Sequence, residues 1–122
     1  MSKRPAAGRI VFKILPASEW RAACACGHYS GSADDARDGF IHLSAGHQLA
    51  GTAAKHFRHQ PSLILVAFEA TALEPELIWE QSRGGDFFPH LYAPMPTACA
   101  LWTKPLPLGD EGIPVLPDLQ TC

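Results

Sequence analysis

Two short apolar runs each carry a histidine near their centre: Asp38-Gly39-Phe40-Ile41-His42-Leu43-Ser44 and Phe88-Pro89-His90-Leu91-Tyr92. Runs of this length and composition form strands. A strand core is a poor place for an imidazole, because a buried polar group without partners costs about 1–3 kcal/mol. Any fold of this chain must therefore supply partners to both rings. Each histidine also has a hydroxyl two residues on, Ser44 and Tyr92, and strand side chains two apart share a face. The pattern predicts one polar pocket shared by the two motifs.

The rest of the chain supplies elements to build around it. Residues 1–9 read as a flexible lead. Ile10 to Leu15, closed by Pro16, is the first strand. Ser18 is placed to cap a short helix with Trp20, Ala23 and Cys24 on one face. Gly27 and Gly31 bracket a loop made acidic by Asp34, Asp35 and Asp38, and a solvated turn is expected there. Phe40 to Leu43 is the second strand. Ser44 then caps a helix reaching about Arg58, in which Leu49, Ala53 and Phe57 recur every fourth residue. Leu63 to Phe68 is a strand covered on both faces. Leu77 to Ser82 and Phe87 to Tyr92 flank Gly84-Gly85-Asp86 as a hairpin. Ala98 to Thr103 is a last strand, and the proline-rich residues 106–122 form an irregular tail. The order predicts one α+β domain over residues 10–105, with two helices on a mainly antiparallel sheet.

Composition narrows the partners. A chain of 122 residues with 47% hydrophobic and 18% charged residues buries a core without disulfides. A net charge of −2 argues against a broad electrostatic grip on RNA or DNA and leaves only a local basic patch open. The basic start, Met1 to Pro5, is not followed by an apolar stretch, so it is not read as a signal peptide. No run approaches the ~20 apolar residues that cross a membrane. The cytoplasm is the expected location, with Cys24, Cys26, Cys99 and Cys122 as free thiols. Cys24-Ala25-Cys26 lacks zinc-knuckle spacing.

On the hairpin's outgoing strand Ile78, Glu80 and Ser82 share a face, and on its return strand Phe88, His90 and Tyr92 do. His42, Glu80, His90 and Tyr92 therefore meet in one cleft if the three strands are neighbours. Imidazole titrates near neutral pH and can move a proton. Glu80 suits a ribose hydroxyl or a developing cation, and Tyr92 a ring face. Lys13, the lone charge of the first strand, is either an anion contact or an outward edge charge. The competing view makes each histidine a hydrogen-bonded core residue. His28 is a weaker candidate for the cleft mouth, and His56 and His59 are expected to face solvent. A two-histidine, one-carboxylate metal site is a rival reading, although neither His-x-His nor His-Glu-x-x-His occurs. A Ser44 hydrolase is weaker, since Ser44 lacks the Gly-x-Ser-x-Gly elbow. No glycine-rich phosphate loop is present.

With these residues the chain resembles a small bacterial family called domain of unknown function 952. The matching elements are Phe12-Lys13-Ile14, Trp20, Gly31, the two histidine motifs, His56-Phe57 and Trp79-Glu80, within about residues 10–105. More distantly, Phe40-Ile41-His42-Leu43-Ser44 and the element order look like the NAD-using RNA 2′-phosphotransferases of the ADP-ribosyltransferase superfamily. That resemblance implies a split, mostly antiparallel sheet and a nucleotide-like ligand in its cleft, with NAD as substrate rather than resident cofactor. It implies attack on the ribose anomeric carbon, with catalytic roles for His42, Glu80 and His90 and ligand contacts from Lys13, Ser44 and Tyr92. The phosphotransferases' substrate-binding arginines have no clear counterparts here. A non-catalytic nucleotide-binding module is the alternative that this departure favours.

Overall fold

The computed structural model describes residues 9–119; most of the expected N-terminal lead, and Cys122, lie outside them. Nine strands and three α-helices follow one another as β1 (Ile10–Pro16), α1 (Ala17–Cys26), β2 (His28–Tyr29), α2 (Ala33–Asp38), β3 (Ile41–His42), β4 (Ser44–Ala45), α3 (Leu49–His56), β5 (Leu63–Glu69), β6 (Leu77–Gln81), β7 (Phe87–Leu91), β8 (Met95–Pro96) and β9 (Ala100–Leu106). The pairings form a four-stranded sheet in the order β4-β1-β5-β9, a three-stranded sheet β3-β7-β6 and a ribbon β2-β8. All of them are antiparallel. No described helix is long and apolar enough to cross a membrane.

Period-two alternation along β1 and β5 sorts the core into two layers. Val11, Leu15, Val66 and Phe68 point toward the three-stranded sheet and pack with Ile41, Leu43, Leu77 and Leu91. Phe12, Ile14, Leu65 and Ala67 point the other way and pack under Leu49 and Ala53 of α3. Apolar residues fill both faces of β5, as its continuous hydrophobic run requires.

Several expectations need correction. The second strand is two strands. β3 pairs with β7, while β4 pairs with β1, so the chain passes from one sheet to the other at Leu43. That residue's amide donates to the Pro89 carbonyl at 3.0 Å. The described residues hold three α-helices rather than two, because the acidic loop is α2. Ser18 caps nothing: α1 starts at Ala17 after Pro16, and the Ala17 amide donates to the Ser62 carbonyl at 2.9 Å. Ser44 is likewise a strand residue, and α3 begins only at Leu49 after a 3-10 turn over Gly46–Gln48. The hairpin matches its expectation, with a 3-10 turn at Arg83–Gly85 between β6 and β7.

β9 runs to Leu106, which is 2% exposed, and Leu116 and Leu119 pack on the same layer as it does. The tail is thus part of the core's cover. Leu106→Ala should cost about 2–5 kcal/mol, or roughly 8–20 °C of melting midpoint at this chain length. A chain ending at residue 105 should fare worse. An unchanged melt for the truncated chain would show that the tail contributes nothing to stability.

Candidate functional site

The site grows from α2. Ser32 caps this helix with a reciprocal capping box: its hydroxyl accepts from the Asp35 amide at 3.1 Å, and Asp35 Oδ2 accepts from the Ser32 amide at 2.9 Å. Gly31 is required beside it. Its φ is +109°, and a Cβ there would meet the Asp35 Cβ at 2.8 Å. Gly39, at φ +89°, ends the helix in the left-handed conformation, which glycine reaches without strain.

Asp35 is almost fully buried, at 3% exposure, and its carboxylate is saturated. Oδ2 also accepts from Lys13 Nζ at 2.9 Å, while Oδ1 meets the His42 amide at 3.1 Å and His42 Nδ1 at 2.5 Å. Burial disfavours its ionised form, but the hydrogen bond from His42, the Lys13 charge and the Ser32 amide outweigh that and hold the carboxyl well below the usual range. For Lys13 burial prevails and lowers its pKa, against the opposing pull of Asp35. Lys13 Nζ also donates to the His42 carbonyl at 2.9 Å. Its strand is interior to the sheet, so the outward edge-charge reading is wrong: the ammonium is buried and paired.

His42 and His90 are direct cross-strand partners on β3 and β7, with ring centroids 5.7 Å apart. The expected juxtaposition of the two motifs is present, but their partners differ. His42 is held at both nitrogens, by Asp35 at Nδ1 and by Asp38 at Nε2 at 2.9 Å. The Arg37 guanidinium lowers the Asp38 pKa as well. A carboxylate oxygen thus stands at each of its ring nitrogens. His90 is held at one nitrogen. Its Nδ1 meets Glu80 Oε1 at 2.7 Å, and the Tyr92 hydroxyl donates to that same oxygen at 2.7 Å. These hydrogen bonds, His90's first, lower the Glu80 pKa, and Glu80 in turn raises that of Tyr92. Among the described residues Nε2 of His90 has no partner. Phe40 stacks on the His90 ring at 4.0 Å and also contacts His42 and Tyr92.

A cleft of about 440 Å³ opens where the two sheets part, a size that suits a small-molecule ligand. His42, His90, Lys13 and Ser44 line it, whereas Glu80 and Tyr92 do not. Those two stand behind His90, and Tyr92 borders a smaller hollow with Phe40. Ser44 hydrogen-bonds Thr52 on α3, Oγ to Oγ1, at 3.2 Å. Gln48 crosses the cleft's end, donating to Asp86 Oδ2 at 3.0 Å and to the Phe87 carbonyl at 2.7 Å while accepting from the Ala45 amide. Sequence reasoning passed over Asp35, Asp38, Gln48, Thr52 and Lys55; His56 is exposed, as expected, and also borders the cleft. His28 is exposed on β2 and is not among the lining residues. A signal for Asp35 did exist: Ser32-Ala33-Asp34-Asp35 has capping-box spacing. Among the described residues no three His, Cys, Asp or Glu side chains are grouped to hold a metal ion. Cys24, Cys26 and Cys99 are free thiols.

Asp35→Asn keeps the shape but leaves Lys13 buried without its counter-charge, and breaking a buried pair costs about 3–5 kcal/mol. The midpoint should fall by roughly 12–20 °C. Lys13→Met should cost less, since Asp35 keeps its other donors. A fall of under about 3 °C for Asp35→Asn would refute the structural weight given to this carboxylate. The pH dependence has a definite sign. Asp35's folded pKa lies below its unfolded value, so its contribution is present above about pH 4 and is lost as pH falls through the folded value. Acid melts of the Asn variant should lack that part of the decline.

Residues 14–103 match the model of a family described as "Protein of unknown function (DUF952)". No curated protein matches the chain. The crystal structure of protein CC0527 from Caulobacter crescentus is similar, with 50% identity and a TM-score of 0.85 over 87% of this chain and 93% of that one. The solution NMR structure of CC0527 gives 50% identity and a TM-score of 0.78 over 86% and 90%. The family match spans most of the described fold and both histidine motifs, and the chain belongs to the DUF952 family.

Proposed function

We propose that the cleft binds a nucleotide-ribose ligand and that the domain catalyses transfer or hydrolysis at the ribose anomeric carbon, in the manner of an ADP-ribosyltransferase with NAD as substrate. The observation that carries this reading is the half-held His90. Glu80, clasped by Tyr92, fixes Nδ1 as the donor to a carboxylate, and the neutral ring then has a lone pair at Nε2. That geometry suits a general base. In the reaction the bond from ribose C1 to the nicotinamide nitrogen breaks, and its electron pair leaves with a ring that becomes neutral. No acid is needed for departure. The nucleophile's oxygen bonds C1 as its proton passes to His90 Nε2.

The other residues take supporting roles under this proposal. Glu80 and Tyr92 act as positioning residues through His90, in place of the sugar and ring contacts expected of them. His42 is held at both nitrogens and has none left to shuttle a proton; its ring forms the cleft wall beside His90. Ser44 presents a hydroxyl jointly with Thr52. The split between the two antiparallel sheets supports the ligand class, since it leaves an open cleft at the strand crossing. Orientation and preorganised charge would supply most of the rate.

A non-catalytic nucleotide-binding module is the second reading. It is favoured by the engagement of Lys13 and Glu80 inside the protein rather than toward the ligand. Incubation with NAD separates the two. Release of nicotinamide is expected, falling about 100-fold or more in His90→Gln, with smaller falls in Glu80→Gln and Tyr92→Phe. Calorimetric binding of NAD without release would establish the module instead. Neither binding nor release would sink both readings.

A further inference from the structure

The cleft's balance of charge carries a more specific conclusion, which rests on the reading of the cleft as a ligand site. Three carboxylates line it, Asp34, Asp35 and Asp86, and each is already engaged. Asp34 pairs with Arg37 at 3.0 Å, and Asp35 with Lys13 and His42. Asp86 accepts from Gln48 and from the Phe87 amide and faces His47 at 3.2 Å. Of the two lining lysines, Lys13 is consumed by Asp35. Lys55 is exposed and has no partner among the described residues. It is therefore the one lining lysine whose charge is free for a ligand.

Its position is regular. Thr52 and Lys55, three residues apart, share one side of α3, and Gln48 occupies the N-cap position of that helix. All three line the cleft, with Gly51 leaving the helix surface bare between them. Thr52 and Ser44 together own two hydroxyl protons, and their mutual hydrogen bond uses one. The second is left to donate outward. An ammonium and a spare hydroxyl donor on one wall, across from His42 and His90, recognise an oxyanion.

We propose that Lys55, with the Thr52–Ser44 hydroxyl pair, forms the anion subsite of the cleft and binds the phosphate groups of a phosphorylated ligand whose reacting end lies at His90. The side chain is exposed and makes no internal contact that folding needs, so Lys55→Met and Lys55→Glu should melt as the wild type does. Calorimetry with two probes, pyrophosphate and ADP-ribose, tests the subsite. Both probes should bind the wild-type protein. Lys55→Met should weaken each about ten-fold, the scale of one charged hydrogen bond, and Lys55→Glu should weaken them further. Arg21→Met, on α1 and outside the cleft, should change neither. If ADP-ribose binds and both Lys55 variants bind it equally well, the subsite is wrong while the ribose reading stands. Lys55-dependent binding of pyrophosphate without binding of ADP-ribose supports the subsite and removes the ribose reading. Binding of neither probe by the wild-type protein overturns both.

Discussion

The carboxylate of Asp35 is the interaction on which the rest of the structure depends. It joins three elements: the start of its own helix α2 through Ser32, β3 just downstream through the backbone and ring of His42, and the distant β1 through Lys13. Since β1 belongs to the large sheet and β3 to the small one, this group fastens the two sheets at the point where the cleft opens. A buried ion pair alone is weak evidence of stability, because desolvation offsets the attraction. Here the carboxylate accepts four hydrogen bonds, two at each oxygen, so its capacity is filled. Saturation rather than charge pairing makes a buried aspartate beside a buried lysine tolerable.

Carboxylates decide what each histidine can do: Asp35 and Asp38 for His42, Glu80 for His90. His42 and His90 come from similar motifs and sit opposite each other on paired strands, yet their chemistry diverges with the number of nitrogens engaged. Two carboxylates hold His42, one at each ring nitrogen. One carboxylate holds His90 and leaves a nitrogen facing the cleft. A proton acceptor needs a free lone pair, so the proposed base falls to His90. The two rings stand 5.7 Å apart, edge to face, so one wall of the cleft carries a fully engaged imidazole beside a half-engaged one.

Legibility in the sequence followed the range of the forces involved. The continuous run Leu63 to Phe68 and the Gly84-Gly85 turn are local signals, and both produced the elements they announce. The meeting of His42 and His90 was also legible, because period-two geometry and a hairpin leave little freedom. Asp35 was not. Aspartate between glycines reads as a solvated turn, and only the tertiary approach of Lys13, 22 residues away, turns it inward. Ser44 misled for the related reason that serine before an amphipathic stretch resembles a cap. Its strand role follows from pairing with Phe12 on β1, a non-local event. Glu80 and Tyr92 were placed with the right neighbours and given the wrong direction, since strand alternation fixes a face without saying which residue on it reaches the cavity.

The sheet crossing at Leu43 explains why a cleft exists here at all. Had Phe40 to Leu43 stayed in one sheet, His42 and Ser44 would have shared a face, as alternation demands. Instead β3 ends after His42 and β4 begins at Ser44, so adjacent strand ends serve different sheets. His42 stays with the small sheet, while Ser44 turns to the α3 side of the large one, where Thr52 meets it. Leu43 anchors the step, buried in the inter-sheet core with its amide on Pro89. The space left between the diverging strands is lined by His42 and His90, and by α3 with its hydroxyl pair and Lys55. Under the proposed reading, a ligand spanning that gap meets an anion-binding wall and a proton-accepting wall at once. Such a division suits a molecule with a charged body and a reactive end, and it arises from a single residue's change of partner.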